Sequence, residues 1–140
     1  MKLRIPTCLG IALLGALAIA TLAQGAGKIP NQWIAPSRAA RKKNPVAADA
    51  GSIARGKRLY ARECLSCHGA TGKGDGSDAA DLEKKPANLR SSATQHQSDG
   101  ALFWKISEGR RPMPAMRKKW SEQQRWDVVN YIRTFKNSKK

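Results

Sequence analysis

Apolar positions along the chain fall into one dense block near the N-terminus and three spaced sets further on. Cys8 to Ala23 is apolar and uncharged. Beyond residue 26 the chain is polar, and its apolar side chains take helical spacing in three places. Ser52 predicts a cap for a helix running to about Glu63, with Ile53, Leu59 and Tyr60 toward one side. Asp99 predicts a cap for a second helix, Gly100 to Glu108, stopped by Gly109. Ser121, with Gln124 three residues later, forms a capping box for a last helix on which Trp126, Val129, Ile132 and Phe135 share a face. Gly-rich and Pro-containing loops join these segments, and none shows the alternation of a strand. The fold class is therefore all-α.

The 140 residues suit a single domain, and 41% of them are hydrophobic. That figure is inflated by the N-terminal block. From Ser52 onward only 19 residues are Ile, Val, Leu, Met, Phe, Tyr or Trp. These are too few to fill a core around three helices and long loops, so a non-protein group is expected to complete it.

Residues 1–23 have the layout of a secretory signal peptide. Lys2 and Arg4 precede the apolar block, and Thr21 and Ala23 are small enough for cleavage after Ala23, with Gly25 an alternative point. The competing reading is an uncleaved anchor, since the block is only slightly shorter than a membrane span. No later apolar run is long enough to cross a bilayer. Export places the mature chain in the periplasm without stable membrane insertion.

Three cysteines are too few for a disulfide scaffold or an all-Cys zinc site. Loss of Cys8 with the leader leaves Cys64 and Cys67, in the run Cys64-Leu65-Ser66-Cys67-His68. C-x-x-C-H is an attachment site for c-type haem: the two thiols bond the porphyrin, and the adjoining His is placed to ligate iron. A zinc knuckle needs a second ligand pair, and the other His, His96, has no partner beside it. A thioredoxin-like pair would follow a strand, whereas the preceding segment here is helical in pattern. The expected cofactor is one covalent haem c, and it would be the largest element of the core.

Three side chains compete for the iron's far side. Met113 lies between Pro112 and Pro114, which bar helix and hold an extended loop. Met116 lacks that bracketing and suits a gap-filling core role. His96 sits in a polar, Gln-rich stretch. Met113 is the expected ligand, which makes His68 and Met113 the metal pair and Cys64, Cys67, His68 and Met113 the cofactor-binding set.

These runs resemble a monohaem class I cytochrome c, of the cytochrome c6-like or cbb3-type domain kind. The resemblance is carried by Gly56-Lys57-Arg58-Leu59-Tyr60, Cys64 to His68, Gly69 to Gly76, Pro86-Ala87-Asn88-Leu89, Leu102 to Gly109, Met113-Pro114-Ala115 and Trp126 to Ile132. It covers about Ser52 to Phe135. It implies a small cytochrome c fold with three main helices wrapped around one haem, and an axial Met aligned with Met113. Met116 stands where such proteins carry an aromatic. It further implies that the first and last helices cross with Gly56, Tyr60 and Tyr131 at the contact, and that the Pro86 carbonyl accepts from the His68 ring; the alternatives are a merely tolerated helix glycine for Gly56 and a plain turn residue for Pro86. Trp104 and Trp120 are candidates to pack on the ring or reach a propionate, ordinary core packing being the alternative.

A His/Met iron has no open position, so the expected function is one-electron exchange, not catalysis. Donors would be a dehydrogenase or quinol oxidiser, and a terminal acceptor would receive the electron. The formal net charge is +16, and loss of Lys2 and Arg4 leaves +14. Arg110, Arg111, Arg117, Lys118 and Lys119 surround the Met113 loop and would steer the protein to redox partners with an acidic docking surface; the alternative is a merely solvated face. Nucleic acid, the other client of such charge, does not suit an exported protein. Residues 24–51 read as a basic, irregular N-terminal arm, with Trp33 hinting that part of it docks, and residues 52–140 as the cytochrome domain. Two rival functions remain. One is a haem subunit of a larger periplasmic dehydrogenase or sulfur-oxidising complex, and the other a haem peroxidase or gas-binding protein.

Overall fold

The computed structural model describes residues 32–137. The expected signal peptide, residues 1–23, lies outside the described residues. From Trp33 onward the chain forms one unit, with six helices among its described residues: α1 (Ser37–Ala40), α2 (Ala50–Glu63), α3 (Leu65–His68), α4 (Ser92–Gln95), α5 (Asp99–Glu108) and α6 (Glu122–Thr134), with a 3-10 turn over Phe135–Asn137. Among the described residues there is no strand, only an isolated bridge between Arg110 and Met113. No helix there is long and apolar enough to cross a membrane.

The three long helices stand where their periodicity places them, and two of the expected caps move. The cap of α2 is Asp49, whose carboxylate accepts from the Ser52 N–H, so Ser52 is not the cap. Ser52 lies inside the helix, fully buried, and its hydroxyl donates to Asp127 Oδ1 at 2.6 Å. The cap of α5 is Ser98, one residue before the expected Asp99, and the helix ends at Gly109. The capping box of Ser121 and Gln124 is formed, with both reciprocal hydrogen bonds. Each cap satisfies N–H groups that have no partner within the helix.

The α2 and α6 helices cross at Gly56. A Cβ there would lie 2.0 Å from the Asp127 carbonyl oxygen and 2.9 Å from Tyr131 Cβ, so only hydrogen permits this approach. One turn on, Tyr60 meets Tyr131 and Phe135 edge-on at 5.2 and 5.4 Å. Trp126, Val129 and Ile132 of α6 and Phe135 just beyond it are all buried, and Phe103 of α5 stacks on Trp126 at 3.9 Å. Aromatic pairs in these arrangements add to what their buried area contributes.

Residues 33–49 run across this frame. Asn44 Nδ2 donates to Asn130 Oδ1 at 2.7 Å, Ser98 Oγ donates to the Ala40 carbonyl at 2.6 Å, and Lys42 pairs with Glu122 at 2.6 Å. Gly100 of α5 admits the backbone of Ala39 and Lys42 within 2.5 Å of where a Cβ would stand.

Candidate functional site

The C-terminal end of α2 and the single turn of α3 carry Cys64, Cys67 and His68. The α3 turn closes through Cys64 C=O, which accepts from His68 N–H at 2.8 Å. The chain then reverses at Gly69, whose φ of 77 favours glycine. The Gly69 carbonyl accepts from the buried Tyr60 hydroxyl at 2.7 Å, tying the turn back to α2.

His68 Nδ1 lies 3.0 Å from the Ala87 carbonyl oxygen. A carbonyl only accepts, so the proton sits on Nδ1 and Nε2 keeps its lone pair. Burial lowers the His68 pKa, and the bond to Ala87 offsets this in part. A neutral, oriented imidazole is what metal ligation needs. The acceptor is Ala87, not Pro86 as expected; the Pro86 carbonyl instead stands 2.5 Å from where a Gly74 Cβ would be. Burial also pushes the Cys64 thiol up to about 12. Cys64 and Cys67 are not joined by a disulfide.

Cys64, Cys67 and His68 line one cleft together with Met113 and Met116. Its empty volume, open mouth included, is ≈ 1240 Å³. Leu82, Leu89, Leu102, Ile106, Val128 and Ile132 form its apolar walls, and Lys84, Lys85, Lys105 and Arg110 bring cations to it. The two methionines differ in setting. Met116 is buried and its N–H donates to the Ile106 carbonyl, which fixes it in the core. Met113 is half-buried at the base of a tight turn, where Arg110 and Met113 exchange backbone hydrogen bonds of 3.0 and 2.9 Å.

Of the other candidates, His96 is exposed, pairs with Ser92 Oγ at 3.0 Å and does not line the cleft. Trp120 is buried without lining it, and its indole N–H has no partner. Trp104 packs against Trp33 at 6.1 Å. The cations expected around the Met113 loop are partly neutralised, since Arg117 pairs with Glu108 and Lys119 with Glu63. Arg111 and Lys118 stay exposed. Sequence reasoning did not find Ala87 or Lys105 at the site. A backbone carbonyl leaves no signal in residue identity, and Lys105 reads as the polar face of α5.

Two thiols, a prepared imidazole, a thioether, apolar walls and nearby cations fit a flat, iron-bearing, apolar macrocycle with acidic substituents, namely haem. Among the described residues no three His, Cys, Asp or Glu side chains converge as a metal-binding group.

Comparison with known proteins agrees with this fit. The family model described as "Cytochrome C oxidase, cbb3-type, subunit III" matches residues 51–132. Among solved structures, the chain is similar to one from the Kuenenia stuttgartiensis reducing HAO-like protein complex Kustc0457/Kustc0458, with 27% identity and a TM-score of 0.60. That similarity covers 65% of this chain and 46% of the other, so this chain spans a little under half of that protein. It is also similar to the KustC0563 c-type cytochrome, at 25% identity and a TM-score of 0.51, over 59% of this chain and 98% of that one. No curated protein gives a match.

Proposed function

The chain belongs to the cbb3-type cytochrome c domain family, and from that premise we propose that it is an exported, single-haem electron carrier held by Cys64, Cys67, His68 and Met113. The observation that carries this reading is the single cleft that these four side chains line together. Membership in the family itself implies covalent haem c and electron transfer. Bound haem supplies a one-electron Fe(II)/Fe(III) couple.

The chain's own residues do the rest. Cys64 and Cys67 tether the macrocycle through thioethers, and the Ala87 carbonyl holds the His68 ring so that Nε2 is the ligating atom. Met113 would supply a thioether ligand from a loop that Pro112, Pro114 and the bridge to Arg110 hold in shape. Ligation by both His68 and Met113 would leave the iron no place for substrate or oxygen, which favours a carrier over a peroxidase. The apolar walls exclude water, and thioether ligation raises the reduction potential.

Exposed Arg111 and Lys118 suit redox partners with acidic docking surfaces, and such steering weakens as salt is added. Residues 1–23 are read as the export signal and residues 24–51 as an arm preceding the 52–140 domain. A second reading is favoured by one observation: a similar structure belongs to a multi-protein complex. In that reading the chain is the haem subunit of a larger periplasmic assembly. Size-exclusion of native extract separates the two.

The ligand assignment is tested by visible spectra of the purified ferric protein. The weak sulfur-to-iron absorption is expected in wild type and in Met116→Ala, and is expected to vanish in Met113→Ala. Its loss in Met116→Ala alone would reverse the assignment.

A further inference from the structure

Trp33 precedes the residues that match the family, which begin at 51, yet it lines the same cleft as His68 and Met113. It is held there from both ends. The strap of residues 33–49 is pinned by Asn44 to Asn130, by Ala40 to Ser98 and by Lys42 to Glu122. At the cleft, the Trp33 ring takes Lys105 Nζ at 5.5 Å and the Arg110 guanidinium at 5.1 Å, with Trp104 at 6.1 Å. Arg110 is the residue whose backbone closes the turn with Met113. Two cations that would repel each other are thus gathered on one indole. Burial and the charge of Arg110 both lower the Lys105 pKa.

We propose that Trp33 is a positioning residue that shuts the Met113 side of the cleft, so that water and small competing ligands reach the iron only when the strap lets go. The proposal rests on the haem-carrier reading. The indole lines the cleft together with Met113, and its contact with Arg110 ties it to the turn that the Arg110–Met113 backbone hydrogen bonds close. Opening must break both cation contacts together.

The test uses the ferric holoprotein and imidazole as the competing ligand, followed by its shift of the visible spectrum. Trp33→Ala is expected to bind imidazole about tenfold faster than wild type, the effect of losing two cation–π contacts on a closed–open balance. Trp33→Phe, which keeps a ring face, is expected to fall between the two. Ile34→Ala, which alters the exposed neighbour, is expected to match wild type. A Trp33→Ala rate equal to wild type would overturn the proposal, as would an equal rise in Ile34→Ala. Should Trp33→Ala fail to fold, Trp33→Phe decides: a rate above wild type supports the proposal and an equal rate overturns it. A Met113→Ala protein that binds imidazole no faster than wild type would remove the ligand assignment alone, because Trp33→Ala still reads access to the cleft.

Discussion

At position 56 the absence of a side chain carries the helix crossing. Alanine is the better helix former by about 1 kcal/mol, so an open site would gain stability from Gly56→Ala. Here the added methyl would stand 2.0 Å from the Asp127 carbonyl oxygen, a backbone atom that cannot swing aside. The helices must then separate, and the Tyr60 contacts with Tyr131 and Phe135 separate with them. Gly56→Ala is expected to destabilise the holoprotein by about 1–3 kcal/mol, read as a lower urea midpoint. A midpoint at or above wild type would show that the crossing tolerates the methyl.

At the scale of elements, what joins α2 to α6 besides this contact is a polar network around Asp127. The carboxylate is buried and accepts from Ser52 at 2.6 Å, from Arg55 at 2.9 and 3.0 Å and from Gln123 at 3.2 Å. Burial by itself would raise its pKa, and the hydrogen bonds from Arg55, Ser52 and Gln123 outweigh it, leaving the group below its ordinary value of 3.8. A carboxylate depressed in the folded state contributes stability that is complete above the unfolded pKa and is lost as pH falls through the folded one. Stability should therefore decline on acidification below about pH 4. Asp127→Asn is expected to cost about 1–3 kcal/mol at neutral pH and to flatten that acid limb, both measurable by urea titration across pH. Parallel acid limbs in the two proteins would place the effect on other carboxylates. The same network explains what the sequence concealed. Ser52 and Asp49 are both competent caps, and the choice is made by Asp127, 75 residues away, which engages the Ser52 hydroxyl. The four-residue helices α1, α3 and α4 have no period to detect, since one turn cannot repeat. The long amphipathic helices and the C-x-x-C-H run were legible because each is a local pattern. The Ala87 carbonyl was not, because any residue supplies one.

For the whole molecule, the decisive fact is where the apolar side chains face. Leu59, Phe103, Trp126, Val129 and Phe135 bury themselves among the helices, but Tyr60, Leu89, Leu102, Ile106, Met116, Val128 and Ile132 also line the cleft. These side chains are already buried from solvent, and a group filling the cleft would give them packing partners on their open side. The polypeptide alone must also hold together against a formal net charge of +16, whose self-repulsion favours expansion. Domains are only marginally stable, so a core with its largest component missing is expected to lose the contest with chain entropy. The Cys64→Ala, Cys67→Ala double variant is accordingly expected to be largely unfolded, with most of its far-UV circular dichroism gone, whereas the single changes at Met113 and Trp33 leave the tether and the helicity in place. Native-like helicity in the double variant would mean that the helix crossing at Gly56 and the Asp127 network suffice for folding, and that the cleft is a preformed site filled afterwards.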